Sequence, residues 1–166
     1  MTVGFALCGS FCTFSKVFPV MEALASEYDL IPIFSHASQR VDSRFGAAAD
    51  HLRRAEEICG KAPILTIAQA EPIGPRKLLD ALVIAPCTGN TLAKLAHSIA
   101  DTPVTMAAKS HLRNGRPVLV AVSTNDALAG AAENIGKPTS MVADFTRIPQ
   151  ALRSSLEGKQ IQPVIL

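Results

Sequence analysis

The sequence predicts a three-layer α/β fold, in which helices cover both faces of an open parallel sheet. Short apolar runs rich in β-branched residues alternate with stretches that have apolar residues at helical spacing. Ala81–Ala85 and Pro117–Val122 are apolar almost throughout, which is typical of strands buried on both faces of a parallel sheet. Strands and helices that alternate at this spacing fold into parallel sheets with helices on both sides.

Length and composition favour one domain that spans residues 1–166. The 166 residues are 48% hydrophobic and 18% charged, which suits a chain with one core and excludes disorder. The net charge of +2 and the lack of a basic run argue against nucleic-acid binding. The apolar runs are too short for a membrane span or a signal peptide, so we expect a cytoplasmic protein. The four cysteines lack the second pair that a zinc site needs, and we expect no metal.

Local patterns place the first elements in chain order. Thr2–Cys8 is a β-rich run that stops at Gly9-Ser10, and Ser15–Ser26 follows with apolar residues at helical spacing. This pattern predicts a strand, a glycine turn and a helix. Leu30–Phe34 predicts a second strand, and its Pro32 indicates either a sheet edge or an irregularity, because proline cannot donate a ladder hydrogen bond.

The later elements repeat this alternation. Phe45–Cys59 predicts a helix that ends at Gly60, and Pro63–Ile67 is a weak strand. The clearest switch from strand to helix follows the buried run near residue 85, where Asn90 offers a capping side chain for the helix Asn90–Ala100. The last expected elements are the helix Thr102–His111, the strand Pro117–Val122, the helices Asp126–Asn134 and Thr146–Leu156, and a short tail, Gln162–Leu166.

The carboxyl ends of the strands are the predicted ligand site. In open parallel sheets, ligands bind there because helix N-termini point outward at that edge. Three strand ends carry the glycine, hydroxyl and amide groups that suit a phosphate, although each group also fits simple helix capping. The first loop is not GxGxxG, so a mononucleotide fits better than a dinucleotide. The candidate cofactor-binding residues are Gly9, Ser10, Phe11, Ser35, Pro86, Thr88, Asn90 and Thr91, and we expect Ser10, Thr88, Asn90 and Thr91 to surround one anion.

Four further residues are candidates for catalysis or substrate binding. Asn125 is the candidate catalytic residue, because an amide both donates and accepts, although it also fits a helix cap. His36 either faces the ligand from a strand end or is an exposed loop histidine. Arg44 either meets an acidic substrate or lies in a solvated helix start. Asp126 either binds substrate or caps the same helix as Asn125.

Two of the cysteines lie near strand ends but are not expected to be nucleophiles. Neither Cys8 nor Cys87 has a histidine and an aspartate that the sequence would place as a relay. Both are therefore expected to pack in the core.

One segment resembles a known superfamily. Ala85–Ala96, with Gly9-Ser10 before it and Ala100-Asp101 after it, is similar to the homo-oligomeric flavin-containing cysteine decarboxylases. In that superfamily the corresponding segment binds flavin mononucleotide (FMN). The resemblance implies a Rossmann- or flavodoxin-like flavoprotein fold and a trimer-based homo-oligomer. Helix 90–100 and the stretch 102–108 also carry more apolar surface than one sheet face readily covers, which indicates assembly into an oligomer.

A larger set of motifs is spread along nearly the whole chain. The motifs are Cys12-Thr13, Val17–Pro19, Ser43–Gly46, Ala70–Pro75, Arg113–Pro117, Ser123–Leu128, Ser140–Val142 and Gln160–Val164. They are similar to motifs of the B subunits of dipicolinate synthases. This resemblance implies oxidation of dihydrodipicolinate to dipicolinate in the mother cell of a sporulating bacterium. It also implies a partner, the A subunit, which carries the NAD(P) site.

The chain departs from these patterns at two places. Of the decarboxylase motif PxMNxxMW only Asn125 is present, and the decarboxylase histidine of the LHI segment aligns with Thr66. Lys137 runs directly into Pro138, where the B subunits carry a further strand and a loop. Either the protein lacks this loop, or the printed sequence omits it. Two other functions stay open: an FMN-dependent decarboxylase of a cysteine-containing substrate, and a non-catalytic scaffold subunit.

Overall fold

The computed structural model describes residues 1–125 and 141–158. Its centre is one sheet in which four strands are parallel and a short fifth strand is antiparallel at the edge. The strand order is β2-β1-β3-β4-β5. The strands are β1 (Thr2–Leu7), β2 (Asp29–Phe34), β3 (Ala81–Cys87), β4 (Val118–Thr124) and β5 (Met141–Val142).

Helices cover both faces of this sheet. They are α1 (Phe14–Ala25), α2 (His36–Arg40), α3 (Ala48–Cys59), α4 (Ile67–Ala70), α5 (Gly89–Ala96), α6 (Pro103–Leu112) and α7 (Ile148–Leu156). Three 3₁₀ turns join them, at Phe11–Thr13, Glu71–Ile73 and Phe145–Arg147. The parallel three-layer α/β architecture that the sequence predicts is confirmed. No helix in the described ranges is long and apolar enough to cross a membrane.

The core has two parts because successive strand residues point to opposite faces. Val3, Phe5 and Leu7 of β1 pack with α1, α3 and α7 on one face. Ala6 of the same strand and Cys8, which follows it, pack with α4 and α6 on the other face. Every residue of β3 is buried, as its continuous apolar run predicts for a central strand.

Some expected boundaries differ from the structure for local reasons. Pro63–Ile67 is not a strand: a single bridge joins Ile64 to Ile33, and Thr66 then caps α4 with a reciprocal bond from Gln69. The helix expected over 45–59 begins at Ala48, because residues 43–46 form a turn. The helix expected over 90–100 ends at Ala96, since Ser98 has a positive φ of 58°.

The remaining expectations concern Pro32, α2 and the segments near the C-terminus. Pro32 lies in β2, which is an edge strand, so the prediction of an edge is confirmed. The sequence does not predict α2, because its five residues carry no helical apolar pattern. Asp126–Asn134, the junction at residues 137 and 138, and Gln162–Leu166 lie outside the described residues.

Candidate functional site

The carboxyl edge of the sheet has its switch point between β1 and β3. The chain leaves β1 toward β2 on one side, and β3 and β4 extend the sheet on the other side. In open α/β sheets, adjacent loops separate at such a point, and the crevice between them is where ligands bind. Pro86 follows Ala85 through a cis peptide bond, and its carbonyl accepts a hydrogen bond from the Cys8 N–H at 3.2 Å. This bond holds the ends of β1 and β3 together below the crevice.

The loop after β3 brings two of the expected hydroxyls together. Thr88 caps α5, since its Oγ1 accepts from the Thr91 N–H at 3.3 Å. Thr91 is buried, and its hydroxyl donates to the Cys8 sulfur at 3.3 Å. Asn90 is exposed in the first turn of α5, and Thr88 is half-exposed. The Thr88 hydroxyl also donates to the Thr91 Oγ1 at 3.2 Å, so both threonine hydroxyls make hydrogen bonds within the fold, whereas the Asn90 side chain is exposed.

The loop after β1 is joined to β4. The Ser10 Oγ lies 2.8 Å from the Ser123 Oγ, although the two strands are not neighbours in the sheet. Ser10 is half-exposed and makes no capping bond to the 3₁₀ turn that follows it. Ser123 is 4% exposed. The sequence analysis misses Ser123 as a site residue because the expected strand ends at Val122. The available signal is spacing: Ser123 is two residues before Asn125, and residues two apart along a strand lie on the same side.

The loop after β2 uses its hydroxyl locally. Ser35 caps α2 by accepting from the Ser38 N–H at 3.2 Å, and the two hydroxyls lie 2.9 Å apart. Ser35 is buried, so its hydroxyl does not face solvent. Gly9 packs against this loop, since a Cβ at Gly9 would lie 3.2 Å from the Ala37 Cβ. A glycine is thus the residue that leaves space between the first two loops.

Charged groups lie beside the loop after β2. The Lys94 ammonium binds both carboxylate oxygens of Asp101, at 2.9 and 2.8 Å. This pairing, with a smaller contribution from the charge of His36, lowers the pKa of Asp101. His36 is half-exposed and is the first residue of α2, so it lies at the carboxyl end of β2.

No contact among the described residues links Arg44 to the hydroxyl groups at the strand ends. Its guanidinium lies over the Phe45 ring, 4.8 Å from the ring centroid, in an exposed turn before α3. Its role as a substrate ligand stays a prediction. Asn125 is exposed directly after β4, and Asp126 lies outside the described residues.

An aromatic wall, formed by Phe11, Phe14 and His51, supports the loop after β1. Phe11 is half-exposed and meets Phe14 edge to face, with ring centroids 5.6 Å apart. Phe14 meets the buried His51 ring at 4.8 Å. Phe11 is the partly exposed member of the wall and offers an apolar ring surface of the kind that a planar ring packs against.

Cys8 and Cys87 pack in the core, as expected. Cys8 and Cys87 are fully buried. Burial raises the pKa of Cys8 to about 11 and the pKa of Cys87 well above its ordinary value. Both are therefore protonated thiols near neutral pH, which excludes a thiolate nucleophile at either position. Among residues 1–125 and 141–158, no group of three or more His, Cys, Asp or Glu side chains is placed to hold a metal ion.

The fold is that of a flavodoxin-like α/β protein, a class whose members bind nucleotides at the carboxyl edge of the sheet. Residues 1–142 match the family model described as Flavoprotein. The chain is 38% identical to the B subunit of dipicolinate synthase from Bacillus subtilis (strain 168), over 99% of this chain and 92% of that protein. The chain therefore belongs to the flavoprotein family and, within it, to the family of dipicolinate synthase B subunits.

Solved structures agree with this assignment. The B subunit of dipicolinate synthase from Bacillus halodurans has a TM-score of 0.85 and 37% identity, with 99% of this chain and 95% of that chain covered. DmrB from Burkholderia xenovorans, solved in complex with FMN and described as a cubic protein cage for redox transfer, has a TM-score of 0.69 and 20% identity, with 95% and 96% covered. At that identity the similarity to DmrB shows a shared fold.

Proposed function

We propose that this chain is the flavoprotein-fold subunit of a dipicolinate synthase and acts with the A subunit in the oxidation of dihydrodipicolinate to dipicolinate. The observation that carries the proposal is the 38% identity to a dipicolinate synthase B subunit over almost the whole chain. The reaction removes a hydride and a proton from the dihydropyridine ring and makes it aromatic. The expected location is the cytoplasm of the mother cell of a sporulating bacterium.

The crevice fits FMN as the cofactor. Ser10 and Thr88 present half-exposed hydroxyls, Asn90 presents an amide, and α5 directs its first N–H groups to the same edge. Phe11 offers an apolar ring surface. Bound FMN would supply a two-electron acceptor. The NAD(P) of the A subunit is the alternative acceptor for the same hydride, and this chain has no GxGxxG loop for it.

The chain's own residues would orient an anionic ring. Asn125 would donate from its amide to a substrate carboxylate, with Asp126 beside it in sequence. His36, at the start of α2, and Arg44, in its exposed turn, are the groups proposed to balance the two carboxylates.

Cysteine decarboxylation is the weaker alternative. The position that carries histidine in the decarboxylases is Thr66, whose hydroxyl accepts the Gln69 N–H at 3.2 Å as a helix cap. A capping hydroxyl cannot replace an imidazole in proton transfer near neutral pH. The scaffold alternative differs from the proposal only in catalysis, so an activity measurement separates the two.

We also propose that the chain forms a homo-oligomer. Val104, Ala107 and Ala108 are buried against the sheet, so the stretch 102–108 does not supply the free apolar surface that its sequence suggests. Ile99 is 47% exposed and Leu112 is 56% exposed. They line a shallow cavity of about 360 Å³ together with Leu95, Ser98, Thr105, Lys109 and Arg113. Analytical ultracentrifugation at micromolar concentration should show a trimer-based species, and a monomer would contradict the assembly.

A reconstitution assay tests the function. The purified chain, its partner protein and the equimolar mixture are each supplied with dihydrodipicolinate, FMN and NAD(P)⁺, and dipicolinate is measured by chromatography. We expect dipicolinate from the mixture and little from either protein alone. Equal rates from the partner alone and from the mixture would support the scaffold alternative and contradict a catalytic role for this chain.

A further inference from the structure

The hydroxyl pair of Ser10 and Ser123 crosses the end of a strand. Ser10 follows β1, Ser123 lies at the end of β4, and β3 runs between those two strands. The two oxygens are nevertheless 2.8 Å apart. The bond therefore passes across the carboxyl end of β3, at the switch-point side of the sheet where the proposed cofactor lies.

Independent hydrogen bonds fix the backbone at both ends of this pair. The Ser10 N–H donates to the Cys8 carbonyl at 2.9 Å, and the Ser10 carbonyl accepts from the N–H and the hydroxyl of Thr13 at 3.0 and 2.8 Å. Ser123 pairs with Val142 in the ladder between β4 and β5. These contacts hold the backbone at both positions without using either hydroxyl of the pair.

Burial decides the direction of the hydrogen bond. The pair has two protons, and one of them is used inside the bond. Within the described part of the chain, Ser10 is the only partner of the Ser123 hydroxyl, and Ser123 is 4% exposed. If Ser10 donated, the Ser123 proton would be left unpaired in the interior, which is costly. Ser10 is half-exposed, and among the described residues its hydroxyl has only the Cys12 sulfur at 4.0 Å as a further partner, so its own proton is the one that can turn outward.

We infer that Ser123 is a positioning residue that donates to the Ser10 Oγ and thereby commits the Ser10 proton to an acceptor atom of bound FMN. The inference rests on the proposed cofactor. A hydroxyl that accepts one hydrogen bond becomes a better donor for the next, so Ser123 strengthens the contact without touching the ligand. Ser123 acts through Ser10, and its effect disappears when Ser10 lacks a hydroxyl.

A double-mutant cycle on FMN affinity tests this coupling. FMN is titrated by fluorescence quenching into the wild-type chain and into Ser123→Ala, Ser10→Ala and the double variant. We expect Ser123→Ala to raise the Kd about three- to tenfold, which is the range for one hydrogen bond. The double variant should bind like Ser10→Ala alone. Ser26→Ala, which removes a surface hydroxyl bonded to the Ala23 carbonyl, is the matched control and should bind like wild type.

The outcomes separate the inference from the proposed function. A wild-type chain that binds no FMN contradicts the cofactor, and the inference falls with it. FMN binding by wild type with an equal Kd for Ser123→Ala, or with additive losses in the double variant, leaves the cofactor standing and overturns the coupling. Ser123→Thr keeps the donor on a side chain that suits a strand, so it should bind within twofold of wild type. Affinity that is lost equally in Ser123→Thr and Ser123→Ala would also overturn the coupling.

Discussion

Ser10 and Ser35 follow neighbouring parallel strands at the same edge of the sheet, yet their hydroxyls have different surroundings. Ser35 is buried and caps α2, which begins at the next residue. Ser10 is half-exposed and reaches Ser123, because a 3₁₀ turn separates it from α1 and leaves it no helix to cap. For these two serines, a helix that begins at the next residue uses the hydroxyl as a cap, whereas an intervening 3₁₀ turn leaves the hydroxyl without a helix to cap.

The largest expected effect is at the other end of the Ser10–Ser123 bridge, where Asn125 follows β4. Asn125→Asp keeps a capping oxygen but places an anion against an anionic substrate. We expect the dipicolinate-forming rate in the two-subunit mixture to fall by about tenfold or more, since repulsion replaces a charge-assisted hydrogen bond. The stability should change by less than about 1 kcal/mol, as measured by thermal denaturation. An unchanged rate would return Asn125 to a capping role.

Asn114→Asp is the matched control at the opposite edge of the sheet. The Asn114 amide donates to the carbonyls of Gly74 and Ser110, both at 3.0 Å. Aspartate cannot donate those bonds, so the variant should lose about 1–3 kcal/mol of stability. Its rate per folded molecule should equal that of wild type. Together the two variants separate a loss at the site from a loss of fold.

The second effect tests the comparison of the two serines directly. Ser10→Ala should raise the Kd for FMN about five- to tenfold, because it removes an exposed donor. Ser35→Ala should leave that Kd within twofold but cost about 1 kcal/mol of stability, since it removes a helix cap. The measurements are FMN titration and chemical denaturation. If both serines changed FMN affinity equally, helix capping would not be the property that separates the two serines.

The fold class was predictable from the sequence because strands such as β3 carry an apolar pattern that is typical of a buried parallel strand. The site was predictable as a region, since strand ends in such sheets converge. Which of its hydroxyls serve the fold and which face the crevice was not predictable. A serine before a helix and a serine before a 3₁₀ turn look alike in sequence, and the pairing of Ser10 with Ser123 depends on two strands that are not adjacent.

A smaller effect is expected at Thr91, whose hydroxyl makes a hydrogen bond within the fold, as the Ser35 hydroxyl does. Thr91→Val removes the hydroxyl that donates to the Cys8 sulfur and keeps the side-chain shape. We expect a loss of about 0.5–1.5 kcal/mol in stability and an FMN Kd within twofold of wild type. Thr88→Val is the contrasting variant, because it removes a half-exposed hydroxyl and should weaken FMN binding as well. A large loss of FMN affinity in Thr91→Val would place Thr91 with Ser10 instead of with Ser35.

The smallest expected effect concerns the aromatic wall formed by Phe11, Phe14 and His51. His51 is packed against Phe14 and Phe18, and this burial lowers its pKa from the ordinary value of 6.5, with Asp50 acting in the opposite direction and Arg54 in the same one. The unfolded chain then binds a proton more readily than the folded chain, so stability falls as the pH drops below 6.5 and levels off below the folded pKa. His51→Leu should make this decline shallower between pH 7 and pH 5, about the range in which histidine titrates. It should not abolish the decline, because burial also lowers the pKa of His111. Denaturation curves across that range provide the measurement, with exposed His97→Leu as the control, and equal slopes for wild type and His51→Leu would show that the wall does not depend on a neutral His51.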